Sequence, residues 1–152
     1  MIWLSEKIEF PAYKFTTKDG ILALGGDLSS ERLIHAYKNG IFPWFSEDDP
    51  IVWYCPHERM VLFPEDLKVS KSMRKIINKK EFKITENTAF EEVIYNCKNS
   101  YRKDGFGTWI TDEMEQAYIN LYKIGVAKSI EVWLDNVLVG GLYGLEFNNI
   151  FC

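Results

Sequence analysis

Trp44 stands in the string Ile41-Phe42-Pro43-Trp44-Phe45-Ser46, where large apolar side chains surround a proline and the acids Glu47, Asp48 and Asp49 follow at once. Phe45 suits a buried anchor, which would turn Trp44 outward as a flat recognition surface. The same tryptophan equally suits a core position, because Trp is highly buried on average, and pattern alone leaves both open. A second constellation is cationic: Lys71, Lys75 and Lys79 recur at i, i+4, i+8, with Arg74 beside them. On a helix these stack into one stripe, and like charges at that spacing oppose helix formation by about a few tenths of a kcal/mol per pair. A lysine stripe is commonly just a solvated face, but the absence of carboxylates at helical spacing favours a phosphate-binding one.

Other chemistry is weaker. Cys55 and His57 are two candidate zinc ligands without further neighbours, and Cys55, Cys97 and Cys152 share no metal-type spacing, so no metal site is expected. The cysteine pattern suits reduced thiols in a cytoplasmic protein. His35 falls on a short helix and His57 in a loop; neither is assigned as a base, and no catalytic residue is named.

The elements that must position these residues follow from caps, breakers and periodicity. Residues 1–19 read as an extended arm anchored by Phe10-Pro11 and Tyr13. Residues 27–39 read as a short helix with Ser29 as N-cap, Leu33, Ile34 and Tyr37 on its apolar face and Gly40 as its stop. Residues 51–54 read as a strand and 60–63 as a second, stopped by Pro64. A helix is expected over 70–80, with Met73, Ile76 and Ile77 on its apolar side, then a strand over 82–85. Thr88-Ala89-Phe90-Glu91 has the form of a capping box, opening a helix whose face is Phe90, Val93, Ile94 and Cys97, which makes Cys97 a core residue. A loop over 99–107 leads to Trp109. The next helix starts after Thr111 and buries Met114, Ala117, Tyr118 and Leu121. Residues 129–134 and 137–146 form a hairpin about Asp135-Asn136, and Ile150-Phe151-Cys152 begins a third strand. Gly140, Gly141 and Gly144 within the second strand call for a bulge or a close approach to the backbone. The order is an α+β arrangement, helices packed on a mostly antiparallel sheet after a small N-terminal module.

The 152 residues suit one domain with a modest appendage, and 47% hydrophobic content supplies a core. Net charge is −4, but residues 68–83 carry seven basic side chains and one acid, a local +6 that leaves −10 for the rest. A polyanion responds to that local patch, not the mean. The start of the chain lacks the pattern of a signal peptide, and no segment is long enough to span a bilayer.

Five strings in order, Leu22-Ala23-Leu24-Gly25-Gly26-Asp27-Leu28-Ser29, Gly40-Ile41-Phe42-Pro43-Trp44-Phe45-Ser46, Gly107-Thr108-Trp109-Ile110-Thr111, Ser129-Ile130-Glu131-Val132-Trp133 and Val139-Gly140-Gly141-Leu142-Tyr143-Gly144, resemble the bacterial leucyl/phenylalanyl-tRNA–protein transferases over essentially the whole chain. The resemblance implies an N-terminal module (1–58) and a domain like the Gcn5-related acetyltransferases (59–152) that is truncated at its C-terminus. In the family, the strand begun by residues 150–152 continues into a Gly-Glu-Ser segment, and the residues assigned to catalysis lie further on. The implied activity is transfer of Leu or Phe, less readily Met, from aminoacyl-tRNA to acceptor proteins with N-terminal Arg or Lys, marking them for degradation. Trp44 and Trp109 match the tryptophans that sandwich the terminal adenine, Leu142 a position in the pocket for the amino-acid side chain, and Lys71 and Lys75 basic positions that contact the tRNA backbone, with Arg74 and Lys79 as neighbours. No metal or small cofactor is implied, because the ester is already activated. The alternatives are a coenzyme-A-dependent N-acetyltransferase, for which no glycine-rich pyrophosphate loop is found, and a non-catalytic tRNA-binding remnant.

Overall fold

The structure, a computed structural model, describes residues 1–101 and 108–152. Most of the loop expected over 99–107, including Gly107, lies outside the described residues.

Two four-stranded sheets organise the chain. In the first, β1 (Trp3–Leu4) runs parallel to β2 (Ile21–Gly25), which pairs antiparallel with β4 (Val52–Tyr54), and β4 with β3 (Phe42–Pro43). Helix α1 (Ser30–Lys38) sits between β2 and β3, its first turn closed by the Ser29 hydroxyl accepting from the Arg32 amide. The expected apolar face of α1 holds at Leu33, which is fully buried. Its neighbour Arg32 is also fully buried, a residue the apolar periodicity passes over. Its guanidinium donates to Asp27 and to the carbonyls of Ser5, Glu6 and Lys7, which ties the N-terminal arm to α1. Charge-assisted bonds to four acceptors meet the cost of burying that cation.

The second sheet is an antiparallel ladder of β5 (Lys83–Glu86), β6 (Ala127–Leu134), β7 (Val137–Phe147) and β8 (Ile150–Phe151). Asp135 and Asn136 turn the β6–β7 hairpin with φ of 50° and 62°, the left-handed pair that suits the twist of the strands. Helices α3 (Phe90–Asn99) and α4 (Asp112–Lys123) pack on one face of this sheet, against Ala127, Ser129, Glu131, Tyr143 and Leu145. All four side chains expected on the buried face of α4, Met114, Ala117, Tyr118 and Leu121, are buried. The glycines of β7 have physical reasons. A Cβ on Gly141 would lie 3.0 Å from Val93 of α3 and 3.1 Å from the Ile130 carbonyl, and one on Gly144 would strike the Cys152 carbonyl and the Phe151 ring. At Gly140, beside the bulge that shifts the register between Val132 and Trp133, a Cβ would meet only the Val132 side chain, in ordinary contact at 3.7 Å. One contiguous hydrophobic cluster, from Leu22 through Trp53 to Leu145, joins the two sheets.

Three local expectations are corrected. Residues 60–63 are not a strand: Met60, Val61, Leu62 and Phe63 are exposed and pair with no neighbour, and strand propensity without a partner edge does not make a strand. Helix α2 (Lys71–Lys79) forms, with the Ser70 hydroxyl capping the Met73 amide, but buries nothing, so Met73, Ile76 and Ile77 remain exposed. The capping box at 88–91 does not form; the N-cap is Ala89, without a side-chain cap bond. A buried carboxylate from β6, Glu131, takes that place. It accepts from the Thr88 and Ala89 amides at 3.3 and 3.4 Å and from the hydroxyls of Thr85, Thr88 and Ser129. An acceptor held in the sheet satisfies the free amides at the start of α3, where an exposed Glu91 would have to give up side-chain freedom to reach back.

Candidate nucleic-acid-end site

A cleft with a volume of about 560 Å³ lies where the two sheets meet. The segment after α1 supplies Phe42 and Trp44, α4 supplies Tyr118, β7 supplies Tyr143, and Trp109 enters from the segment before α4. Trp44 is 56% exposed, so the core reading of that residue is overturned; Phe45 beside it is buried. The alternation is imposed locally. Pro43 extends the chain in β3 against Trp53, and successive side chains point to opposite sides. Trp44 leans on Tyr54, ring centroids 6.0 Å apart, and Tyr54 is in turn stacked on Phe42 at 5.9 Å. Trp109 is part-buried and stands edge-on to Tyr118, with centroids 6.4 Å apart. The structure thus brings both tryptophans to one cleft, each held by a tyrosine.

Tyr37 of α1 and Tyr118 of α4 also line the cleft, and their hydroxyls are hydrogen-bonded to each other. Burial pushes the Tyr37 phenol up to about 12 and Tyr118 well above its ordinary range, so both stay protonated and, with one proton taken by their mutual bond, one hydroxyl hydrogen is left to donate. Arg59 is the one charged side chain lining the cleft among the described residues. The tyrosines were legible only as apolar helix-face residues; the signal for a polar role was that each buried phenol needs a partner and the two lie on different helices. Arg59 carried no such signal.

Other sequence-derived residues lie elsewhere. Leu142 does not line the cleft: it pairs with Ile130 and is 48% exposed, on the face of β7 opposite Tyr143, because strand side chains alternate. Lys71, Arg74, Lys75 and Lys79 are exposed along α2. Among the described residues no carboxylate pairs with Lys71, Arg74 or Lys75, while Lys79 meets Glu81 at 3.4 Å. His35 stacks on Phe10 and His57 Nδ1 is hydrogen-bonded to the Tyr13 hydroxyl, and neither lines the cleft. Cys55 is buried and Cys97 part-buried. Among the described residues no group of three or more His, Cys, Asp or Glu is arranged to hold a metal, and no helix is long and apolar enough to cross a membrane.

An α+β fold thus brings two tryptophans, a hydrogen-bonded pair of tyrosines and, among the described residues, one guanidinium to a single cleft. Comparison with known proteins names the family. The sequence profile of the leucyl/phenylalanyl-tRNA protein transferases matches residues 61–152, and that of their N-terminal domain matches residues 26–57. A leucyl/phenylalanyl-tRNA–protein transferase of Flavobacterium johnsoniae is 55% identical over the whole chain, which covers 72% of that relative. One from Flavobacterium psychrophilum is 52% identical with the same coverage, and one from Oleidesulfovibrio alaskensis is 50% identical over 97% of this chain and 62% of its own length. The chain belongs to the leucyl/phenylalanyl-tRNA protein transferase family.

Proposed function

We propose that the chain is an aminoacyl-tRNA-dependent acyltransferase, moving Leu or Phe, and less readily Met, from its tRNA to proteins with N-terminal Arg or Lys and so marking them for degradation in the cytoplasm. The observation that carries the reading is the cleft itself, with Trp44 and Trp109 at its walls. The unpaired adenine at the 3′ end of a tRNA offers a π-face, and aromatic stacking is worth about 1–3 kcal/mol per base. The basic stripe on α2 then serves the phosphate backbone, and its cations at Lys71, Arg74 and Lys75, unpaired among the described residues, support that role.

The reaction is aminolysis of an ester. The neutral α-amine of the acceptor attacks the aminoacyl carbonyl, a C–N bond forms, the C–O bond to the ribose breaks, and the 3′ oxygen leaves with a proton. The protein must orient the two substrates and stabilise the oxyanion. Residues 1–58 are read as the N-terminal module and 59–152 as the acetyltransferase-like domain; the β5–α3–α4–β6–β7 order, with both helices on one face, supports that reading. Leu142 is proposed to contact the Leu or Phe side chain from the far side of β7, a role separate from the cleft.

The test is the affinity of a non-hydrolysable 3′-leucylamido-adenosine for the wild type, Trp44→Ala and Trp109→Ala. Each substitution is expected to weaken binding about 5- to 150-fold, the span that stacking supplies. Unchanged affinity in both variants contradicts the proposal.

A further inference from the structure

Arg59 has no role in the reading above, yet it lines the cleft with no carboxylate paired to it among the described residues. One guanidinium nitrogen, Nη2, donates to the Gly40 carbonyl, and the guanidinium carbon lies 5.0 Å over the Phe42 ring. These two contacts fix its place without neutralising it. Among the described residues no carboxylate lies within ion-pair distance of Arg59, and its Nε and Nη1 make no hydrogen bond. Arginine used only as surface filling would not need a carbonyl and an aromatic ring to hold it beside a mainly apolar cleft.

Its position relative to Trp44 matters. Phe42 and Trp44 are two residues apart on an extended segment, so their side chains share one side, about 6–7 Å from each other along the chain. Arg59 covers Phe42, and Tyr54 lies against both Phe42 and Trp44. A base stacked on Trp44 therefore has, beyond the neighbouring Phe42 ring, a guanidinium with one of its two forked edges still open. The Phe42–Trp44 repeat of about 6–7 Å is close to the separation between a base and its own 5′-phosphate in a nucleotide. Guanidinium is suited to it: the planar fork binds two phosphate oxygens at once, which an ammonium cannot do.

We infer that Arg59 is a binding residue for the 5′-phosphodiester of the terminal adenosine, the phosphate nearest the reacting ester. The inference rests on the proposal that the cleft takes that adenosine. It assigns α2 to phosphates further along the strand and Arg59 to the one that fixes the register of the 3′ end.

The test uses two probes, 3′-leucylamido-3′-deoxyadenosine and the same compound carrying a 5′-methylphosphate, titrated at one fixed ionic strength into the wild type, Arg59→Ala and Arg59→Lys. The ratio of the two affinities within one variant cancels any change in fold or in stacking. The wild type is expected to prefer the phosphorylated probe about tenfold, the gain of a charge-assisted bond at a partly exposed site. The ratio should fall to about one in Arg59→Ala and lie between in Arg59→Lys, which keeps the charge and loses the fork. A wild-type ratio of one, or an Arg59→Ala ratio still near ten, overturns the inference while leaving the adenosine site standing. A wild type that binds neither probe removes the site and the inference together.

Discussion

Trp44 and Trp109 reach the same cleft by different routes, one from the extended segment directly after β3 and one from the segment that precedes α4. Trp44 was ambiguous in the sequence because a Pro-flanked aromatic run is compatible with core and surface alike, and only the pairing of β3 with β4 decides which side faces out. Arg32 and Glu131 were less legible still. A charged side chain that ends up fully buried carries no periodic signal; its burial is permitted by acceptors or donors far away in the chain, Ser5 to Lys7 for one and Thr85 to Ala89 for the other. Glu131 makes a stability prediction. Burial is the largest influence on its carboxyl and opposes ionisation, but hydrogen bonds from Ser129, Thr85, Thr88 and the Ala89 amide together outweigh it and hold the group below its ordinary value of 4.5. A carboxyl depressed in the folded state stabilises above its unfolded pKa, and that contribution is lost as pH falls through the folded one. Glu131→Ala is expected to cost about 2–4 kcal/mol at neutral pH, since each buried donor left without an acceptor costs about 1–3 kcal/mol. In denaturant titrations the wild type should lose stability below pH 4.5 more steeply than Glu131→Ala; parallel pH profiles would show that the carboxylate is not the origin.

At the scale of elements, α1, α4 and the β6–β7 hairpin were readable because each carries its own punctuation: Ser29, Thr111 with Gly125, and Asp135-Asn136. The misread elements fail for one reason, that strand pairing and burial are not local. Residues 60–63 have strand-forming side chains and no edge, and α2 has an apolar face with no surface beneath it. The β7 glycines were recognised as anomalous, but which of them admits a helix could be seen only from α3. Gly141→Ala is expected to destabilise by about 1–3 kcal/mol through overpacking against Val93, read as a lowered denaturant midpoint. Gly140→Ala, which meets only ordinary contacts, serves as the control. For α2 the expectation concerns charge. Lys71→Ala with Lys75→Ala should weaken tRNA binding and reduce the slope of log K against log salt by about 1.4–1.8, the contribution of two phosphates. An unchanged slope would assign the stripe to solvent.

Over the whole molecule, two sheets that are separate in sequence share one core, and the cleft lies where they meet, so its walls come from both parts of the chain. That explains why the α+β class and the order of elements could be read in advance, while the floor of the site could not. The Tyr37–Tyr118 contact joins α1 to α4 across 81 positions, and nothing local to either helix announces it. The α2 cations do not line that cleft, so a tRNA that uses both would be held at two points. The most direct measurement is therefore binding of tRNA with its 3′-terminal adenosine and of the same tRNA with that one nucleotide removed, to the wild type and to the Trp44→Ala, Trp109→Ala double variant. The account predicts that trimming weakens wild-type binding about 5- to 150-fold, and that the double variant binds both tRNAs alike. Equal binding of intact and trimmed tRNA by the wild type would contradict it.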